Sequence, residues 1–113
     1  MEDIEEPLTV AQVCIQMIDC LKNFHSIENL HRDVKLDNFR LSKEGRVKLI
    51  DFGTSRSYLE NGQHIKPKQG LQIRGTIQTA SIGCHLGNEI TRRDDLESVG
   101  YSMYLLYTGD LPW

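Results

Sequence analysis

The sequence LHRDVKLDNFRL, residues 30–41, places six polar or charged side chains within eight consecutive positions and flanks them with apolar residues. The flanking residues belong in a hydrophobic core, so the fold must bring a dense polar group to the edge of that core. Desolvating such a group is costly unless its members find partners. A chain of 113 residues can bury one modest core, and we therefore expect one domain or a piece of one.

The first long segment predicts a helix. Thr9 is a suitable N-cap, and Gln12 completes a capping box. An apolar stripe follows at helical spacing and consists of Val10, Val13, Met17, Leu21 and Phe24. Because Cys14, Ile15 and Ile18 widen this stripe, we expect the helix to be mostly buried.

A second helix is predicted near the other end of the sequence. Thr91, with Asp94 at the third position, predicts its start, and Gly109 predicts its end. Its predicted apolar face consists of Leu96, Val99, Met103, Leu106 and Tyr107.

Between the helices, a small hairpin is predicted because Phe39–Leu41 and Val47–Ile50 bracket the turn-like sequence SKEG. This hairpin would carry residues 31–38 and the tripeptide Asp51-Phe52-Gly53 into the same neighbourhood. From Thr54 to about Glu89 the apolar residues follow no sustained helical or strand spacing, which predicts a long ordered loop. The predicted fold class is mainly α with a small β-hairpin.

Composition narrows the classes of function. The net charge is −3 with both signs interspersed, so we expect no nucleic-acid partner. No apolar run approaches a membrane span, and the acidic start MEDIEEPLTV lacks the features of a signal peptide. The three cysteines fit neither a disulfide nor a zinc spacing. We therefore predict an intracellular, cytoplasmic or nuclear, protein that does not bind membranes.

The order of the polar residues indicates the chemistry. His31-Arg32-Asp33, Lys35 and Asn38 are followed, one hairpin later, by Asp51-Phe52-Gly53. Either motif alone is commonplace, but the ordered pair is specific. It resembles the catalytic loop and the metal-binding loop of protein kinases.

This resemblance implies roles for five residues. Asp33 would accept or orient the proton of the attacking hydroxyl, Lys35 would place charge on the transferring phosphate, and Thr76 would hydrogen-bond both. These three are the predicted catalytic residues. Lys35, Asn38 and Asp51 are predicted to bind the cofactor ATP, and Asn38 and Asp51 offer hard oxygen ligands for Mg²⁺. Lys35 and Thr76 are both typical of Ser/Thr kinases.

Longer motifs resemble the casein kinase 1 family, namely Ala80-Ser81-Ile82, His85-Leu86-Gly87, residues 92–98 (RRDDLES) and Leu111-Pro112-Trp113. The resemblance implies that residues 1–113 are a partial protein kinase domain from the C-terminal lobe, without the N-terminal lobe and the final helices of that fold. It implies ATP-dependent phosphorylation of Ser and Thr in protein substrates. It also implies that Asp95 hydrogen-bonds the backbone of the catalytic loop, and that His31 and Phe52 pack internally.

Four positions depart from that family, and one of them is Thr79, which replaces a Tyr. Gln78 stands where its members usually have an Arg that binds acidic or phosphorylated substrates, although Lys66, Lys68 and Arg74 offer compensating charge. Arg40 stands where they have an apolar residue beneath the adenine ring. Leu36 replaces a Pro, which is a milder change.

Two functions therefore stay open. The chain is either part of an active casein-kinase-1-like enzyme or a non-catalytic module, such as a pseudokinase or a truncated kinase-like binding protein. For the fragment alone we expect an exposed apolar patch and poor catalysis. The sequence does not indicate the substrate, the pathway or the oligomeric state.

Overall fold

A computed structural model describes residues 8–66, 68–72 and 76–113. Its long helices are α1 (Val10–Ser26) and α3 (Arg92–Thr108), and a short helix α2 spans Ile82–His85. The strands are β1 (Asn29–Leu30), β2 (Phe39–Leu41), β3 (Val47–Leu49), β4 (Arg56–Ser57), β5 (Leu59–Glu60) and β6 (Gln63–His64). They form three antiparallel pairs, β1–β4, β2–β3 and β5–β6. A 3₁₀ turn at Leu36–Asn38 precedes β2.

The helix ends confirm the capping predictions. At the start of α1, Gln12 N donates to Thr9 Oγ1 at 3.1 Å, and Thr9 N donates to Gln12 Oε1 at 2.8 Å. At the start of α3, the Asp94 carboxylate accepts a bond from Thr91 N at 2.7 Å. Gly109 ends α3 with φ of 83°, the left-handed conformation that glycine adopts without a steric penalty.

The main core lies where α1, α3 and the β2–β3 hairpin meet. Leu21, Val34 and Val99 form a buried cluster, with Phe39, Leu49 and Met103 packed against it. Met17 and Leu21 of the predicted stripe are fully buried. Ile15 is 61 % exposed and Ile18 is 41 % exposed, so α1 carries part of the exposed apolar surface that we expected for the fragment alone.

The predicted apolar face of α3 is wrong at both of its ends. Leu96 is 50 % exposed and Tyr107 is 77 % exposed, while Val99 is buried as expected. The other buried residues of this helix are polar, namely Asp94, Asp95, Ser98 and Ser102. Their polar atoms find partners inside the protein, and this makes their burial tolerable.

The middle of the chain contains more structure than predicted. The hairpin forms, with β3 ending one residue earlier than expected, at Leu49. The segment predicted as a continuous loop carries β4, β5, β6 and α2: β4 pairs with the distant β1, and β5 and β6 form a local hairpin. The helices and the hairpin are therefore confirmed, and two further small sheets were missed. None of the helices in the described ranges combines the length and the apolar character required to cross a bilayer.

Candidate active site

The loop between β1 and the 3₁₀ turn is fixed by a single buried carboxylate. Asp95, which is 2 % exposed, accepts bonds from His31 N at 2.8 Å and from Arg32 N at 2.9 Å. His25 Nε2 lies 2.9 Å from the same carboxylate. Arg32 adopts φ of 70°, an uncommon conformation for a non-glycine residue, and Asp95 supports it. The contact implied by the resemblance is therefore present.

Three predicted site residues meet although they are distant in sequence. Lys35 Nζ donates to Thr76 Oγ1 at 2.8 Å, and Thr76 N donates to Asp33 Oδ1 at 3.0 Å. Lys35 Nζ also lies 3.8 Å from Asp33 Oδ2, and both side chains are mostly shielded from solvent. Asp33, Thr76 and Thr79 line one small cavity. The carboxylate and the hydroxyl are thus held together at its wall, and the Lys35 cation bonds the hydroxyl.

Asn38 connects the Asp33, Lys35 and Thr76 group to the β2–β3 hairpin through hydrogen bonds. Its side-chain Nδ2 donates to Asp33 O at 2.8 Å, and its backbone O accepts from Ile50 N at 2.8 Å. Ile50 O in turn accepts from His31 Nε2 at 2.9 Å. The residue before Asp51 is therefore bonded to both ends of the catalytic-loop motif.

Asp51 follows directly, in a left-handed conformation with φ of 62°. Its Oδ1 accepts a long bond from Gly53 N at 3.4 Å, and the residue is exposed. Asp51 does not line the cavity beside Asp33. That the two carboxylates act on one bound ligand stays a prediction.

Three rings pack between α1 and the two motifs. Phe24 stacks on Phe52 with centroids 5.1 Å apart, and His31 meets both rings edge-on at 6.0 Å. His31 is fully buried, whereas Phe52 is 53 % exposed. His31 has the packing role that the resemblance implied, and Phe52 shares it through one face only.

Comparison with known proteins decides the family. Residues 3–113 match the family described as "Protein kinase domain". The chain belongs to this family. It is 38 % identical over 112 residues to Casein kinase I homolog 2 of Saccharomyces cerevisiae, a match that covers 93 % of this chain and 20 % of that protein. Casein kinase I homolog 1 of the same yeast is also 38 % identical over 112 residues, with coverage of 93 % and 21 %. The resemblance to the casein kinase 1 family is confirmed, and the kinase-family chain spans about a fifth of the length of these relatives.

The donor set of this protein kinase chain fits magnesium. The amide oxygen of Asn38 and the carboxylate of Asp51 are hard oxygen donors, and the Ile50 N to Asn38 O bond connects the segments that carry them. The described residues hold no group of three His, Cys, Asp or Glu side chains placed to bind an ion. Mg²⁺ in kinases usually keeps waters and takes one or two protein ligands plus phosphate oxygens, so two ligands suffice.

The departures from the family motif can now be located. Arg40 is exposed, and its guanidinium bonds Asp37 O and Phe39 O, so the cation folds back onto the local backbone. Gln78 is exposed, and its backbone O accepts from Trp113 Nε1 at 2.9 Å. Lys66 and Lys68 are exposed, and Arg74 lies outside the described residues.

Two arginine contacts lie near the site: sequence reasoning missed that of Arg56, whereas it expected Arg32 to pair with an anion or with the segment after Asp51. Arg56 NH1 lies 3.3 Å from Glu89 Oε1, and the Glu89 side chain is only 3 % exposed. Arg32 Nε donates to Thr54 O at 2.6 Å. Both contacts connect the segment after Asp51 to distant parts of the chain. No local pattern signals them, because each pair is separated by more than 20 residues.

Proposed function

We propose that this chain carries the catalytic loop and the metal-binding loop of a casein-kinase-1-like Ser/Thr kinase, within the C-terminal lobe of its domain. The reaction would transfer the terminal phosphoryl group of ATP to a Ser or Thr hydroxyl of a protein substrate. The observation that carries this proposal is the connected group of Asp33, Lys35 and Thr76. These three residues are of the types that phosphoryl transfer requires, and they contact one another through hydrogen bonds and an ion pair.

Asp33 would accept the proton of the attacking hydroxyl. Its Oδ1 is occupied by the Thr76 N–H, so Oδ2 is the oxygen that remains for the substrate. The bond from Asn38 Nδ2 to Asp33 O fixes the backbone of the base as well. A base held at both its backbone and its side chain stays in one orientation, and proximity catalysis depends on such an orientation.

Lys35 would stabilise negative charge that develops on the transferring group. The ammonium lies between Asp33 and Thr76, and the Thr76 hydroxyl restricts a side chain that is otherwise flexible. Preorganised charge of this kind acts without further reorganisation during the reaction. Thr76 is thus a positioning residue for both the base and the cation.

Asn38 and Asp51 would hold Mg²⁺ with ATP, and the ion would neutralise charge on the phosphate oxygens. The chain's own contribution is to keep the two oxygen ligands at a fixed spacing. The bond from Ile50 N to Asn38 O supports that spacing, since Ile50 directly precedes Asp51.

A phosphorylation assay on the complete gene product tests this function. Asp33→Asn keeps the shape of the base but removes its ability to accept a proton, so we expect kcat to fall by roughly 10²- to 10⁴-fold. Asp37→Asn is the matched control, because this exposed carboxyl lies only four residues away. Equal activity in the wild type and in Asp33→Asn would reject the role given to Asp33.

One observation favours a second function, a non-catalytic kinase-like binding module. Arg40 places a cation in β2, where the resemblance implies an apolar contact beneath adenine. Calorimetric titration of the complete gene product with ATP, with and without Mg²⁺, separates the two functions. Mg²⁺-dependent binding would count against the non-catalytic module, and no binding would support it.

A further inference from the structure

The outer edge of β3 exposes backbone groups that the hairpin cannot satisfy, and those of Val47 lie nearest the turn. In the β2–β3 register, Leu41 lies opposite Val47, while the ladder bonds are made by the flanking pairs, for example Ser42 N to Arg46 O at 2.8 Å. In such a non-hydrogen-bonded pair, the N–H and the C=O of each residue point away from the partner strand. Val47 therefore offers both groups at the outer edge of β3.

Helix α1 occupies this edge with two side chains one turn apart. Val47 N donates to Gln16 Oε1 at 2.8 Å, and Cys20 Sγ donates to Val47 O at 3.2 Å. Gln16 Nε2 also donates to Gly45 O at 2.9 Å, in the turn of the hairpin. Burial raises the pKa of Cys20, so its thiol keeps the proton that it donates. The Gln16 amide thus uses both its donor and its acceptor on the hairpin.

The other end of the same hairpin carries both predicted magnesium ligands. Asn38 directly precedes β2, and Asp51 follows β3 by two residues. Strands of three residues do not hold a fixed orientation by themselves, because a lone two-stranded hairpin is at best marginally stable in water. Its packing against α1 must therefore set the direction in which the two ligands point.

We propose that Gln16 is a positioning residue for magnesium-dependent nucleotide binding, acting through the β2–β3 hairpin on Asn38 and Asp51. This inference rests on the proposed function, because it assigns those two residues to the metal. Gln16 itself touches neither ligand. Its two bonds fix the turn and the outer edge of β3, and the bond from Ile50 N to Asn38 O transmits that position to the metal-binding end.

The test uses Gln16→Met in the complete gene product, because Met has a similar length but makes neither bond. The first readout is amide hydrogen exchange without nucleotide, at Val47, Ile50 and Thr76. We expect exchange at Val47 and at Ile50 to accelerate roughly fivefold, the effect of losing about one hydrogen bond. Thr76 N, bonded to Asp33, should exchange as in the wild type.

The second readout is ADP binding during a Mg²⁺ titration, which requires no turnover. We expect the Mg²⁺ concentration for half-maximal ADP binding to rise roughly fivefold, for the same reason. ADP binding without Mg²⁺ should not change. Gln63→Met, at an exposed position in β6, is the matched control and should behave as the wild type.

The outcomes are distinguishable. Faster exchange at Val47 alone, with Ile50 and the Mg²⁺ requirement unchanged, would overturn the inference and leave Gln16 a local packing residue. If Gln16→Met unfolds, Gln16→Glu replaces it in the test. Glu keeps the acceptor for Val47 N but loses the donor to Gly45 O. We therefore expect about half the change in amide exchange and in the Mg²⁺ requirement. If the wild type binds no ADP with Mg²⁺, the proposed function fails, and exchange at Ile50 alone decides whether Gln16 controls the hairpin.

Discussion

The two long helices have the same length and similar ends, but the buried residues of α1 are mostly apolar and those of α3 are mostly polar. Helices α1 and α3 are both 17 residues long, and an N-cap Thr with its third-position partner starts each one. The core-facing side of α1 is apolar and contains Met17 and Leu21. The corresponding side of α3 presents Asp95, Ser98 and Ser102. Both helices contribute to the core, α3 through Val99, and α3 also brings the Asp95 carboxylate to the backbone of the catalytic loop.

This difference shows where hydrophobic periodicity fails as a guide. On α1 the apolar spacing correctly identified the buried face. On α3 the apolar residues Leu96 and Tyr107 are exposed, because the buried positions are used to bond other segments. Asp95 bonds the backbone of the catalytic loop, and Asp94 Oδ1 accepts from Ser81 Oγ at 2.6 Å. A helix that organises a site is therefore recognised by its buried carboxylates rather than by its apolar stripe.

The largest expected effect comes from Asp95→Ala on α3. The change leaves the N–H groups of His31 and Arg32 without their buried acceptor, so we expect a loss of about 4 kcal/mol in the free energy of unfolding. Urea unfolding measures this loss. Asp19→Ala, at an exposed position of α1, is the control and should cost less than about 0.5 kcal/mol. Comparable losses in the two variants would remove the contrast between the helices.

A smaller effect is expected from Leu21→Ala on α1. This substitution opens a cavity in the cluster with Val34 and Val99 and should lower the free energy of unfolding by about 3 kcal/mol. The helical control is Ile15→Ala, because Ile15 is largely exposed. Unlike Asp95→Ala, Leu21→Ala should leave the hydrogen bonds of the catalytic loop in place. Faster amide exchange at His31 and Arg32 in Leu21→Ala, equal to that in Asp95→Ala, would contradict this separation.

The smallest expected effect is on the ionisation of Tyr101, on the outer side of α3. Tyr101 donates to Glu97 Oε2 at 2.5 Å, and this bond raises the pKa of Tyr101 to about 12. A raised folded-state pKa means that the neutral phenol is favoured. The resulting stabilisation is complete below the ordinary pKa of about 10 and is lost as the pH rises through about 12.

Ultraviolet titration of tyrosinate measures this effect as a late ionisation step. Tyr101→Phe should remove the step, whereas Tyr107→Phe should retain it. A late step that survives in Tyr101→Phe would mean that the bond to Glu97 does not control the ionisation.

Local signals predicted the elements that local bonds define. The caps at Thr9, Thr91 and Gly109 lie within four residues of their partners, so they could be recognised from the sequence. The sheet between β1 and β4 and the ion pair of Arg56 with Glu89 depend on residues more than 20 positions apart. Long-range contacts of this kind leave no periodic pattern, whereas the local β5–β6 hairpin has a recognisable Asn61-Gly62 turn signal that sequence reasoning overlooked.

The candidate site was accessible to sequence reasoning for a different reason. Asp33, Lys35, Asn38 and Asp51 lie in short motifs whose order is informative. Thr76 was identified by resemblance, and the structure brings it to Asp33 and Lys35. Gln16 lies outside these motifs, and its contacts with Gly45 and Val47 appear only when α1 packs on the hairpin.

Arg32 and Asp51, at the two ends of the candidate site, share a backbone feature with a wider consequence. Both have positive φ although neither is glycine, and such a conformation costs about 1 kcal/mol at each position. Hydrogen bonds in the surroundings offset that cost. Arg32 is bonded to Asp95 and to Thr54, and Asp51 follows Ile50, whose N–H is bonded to Asn38 O. The candidate site therefore includes backbone whose unfavourable conformation depends on contacts with its neighbours. Heat or denaturant that loosens the flanking contacts would distort the candidate site while both long helices remained intact.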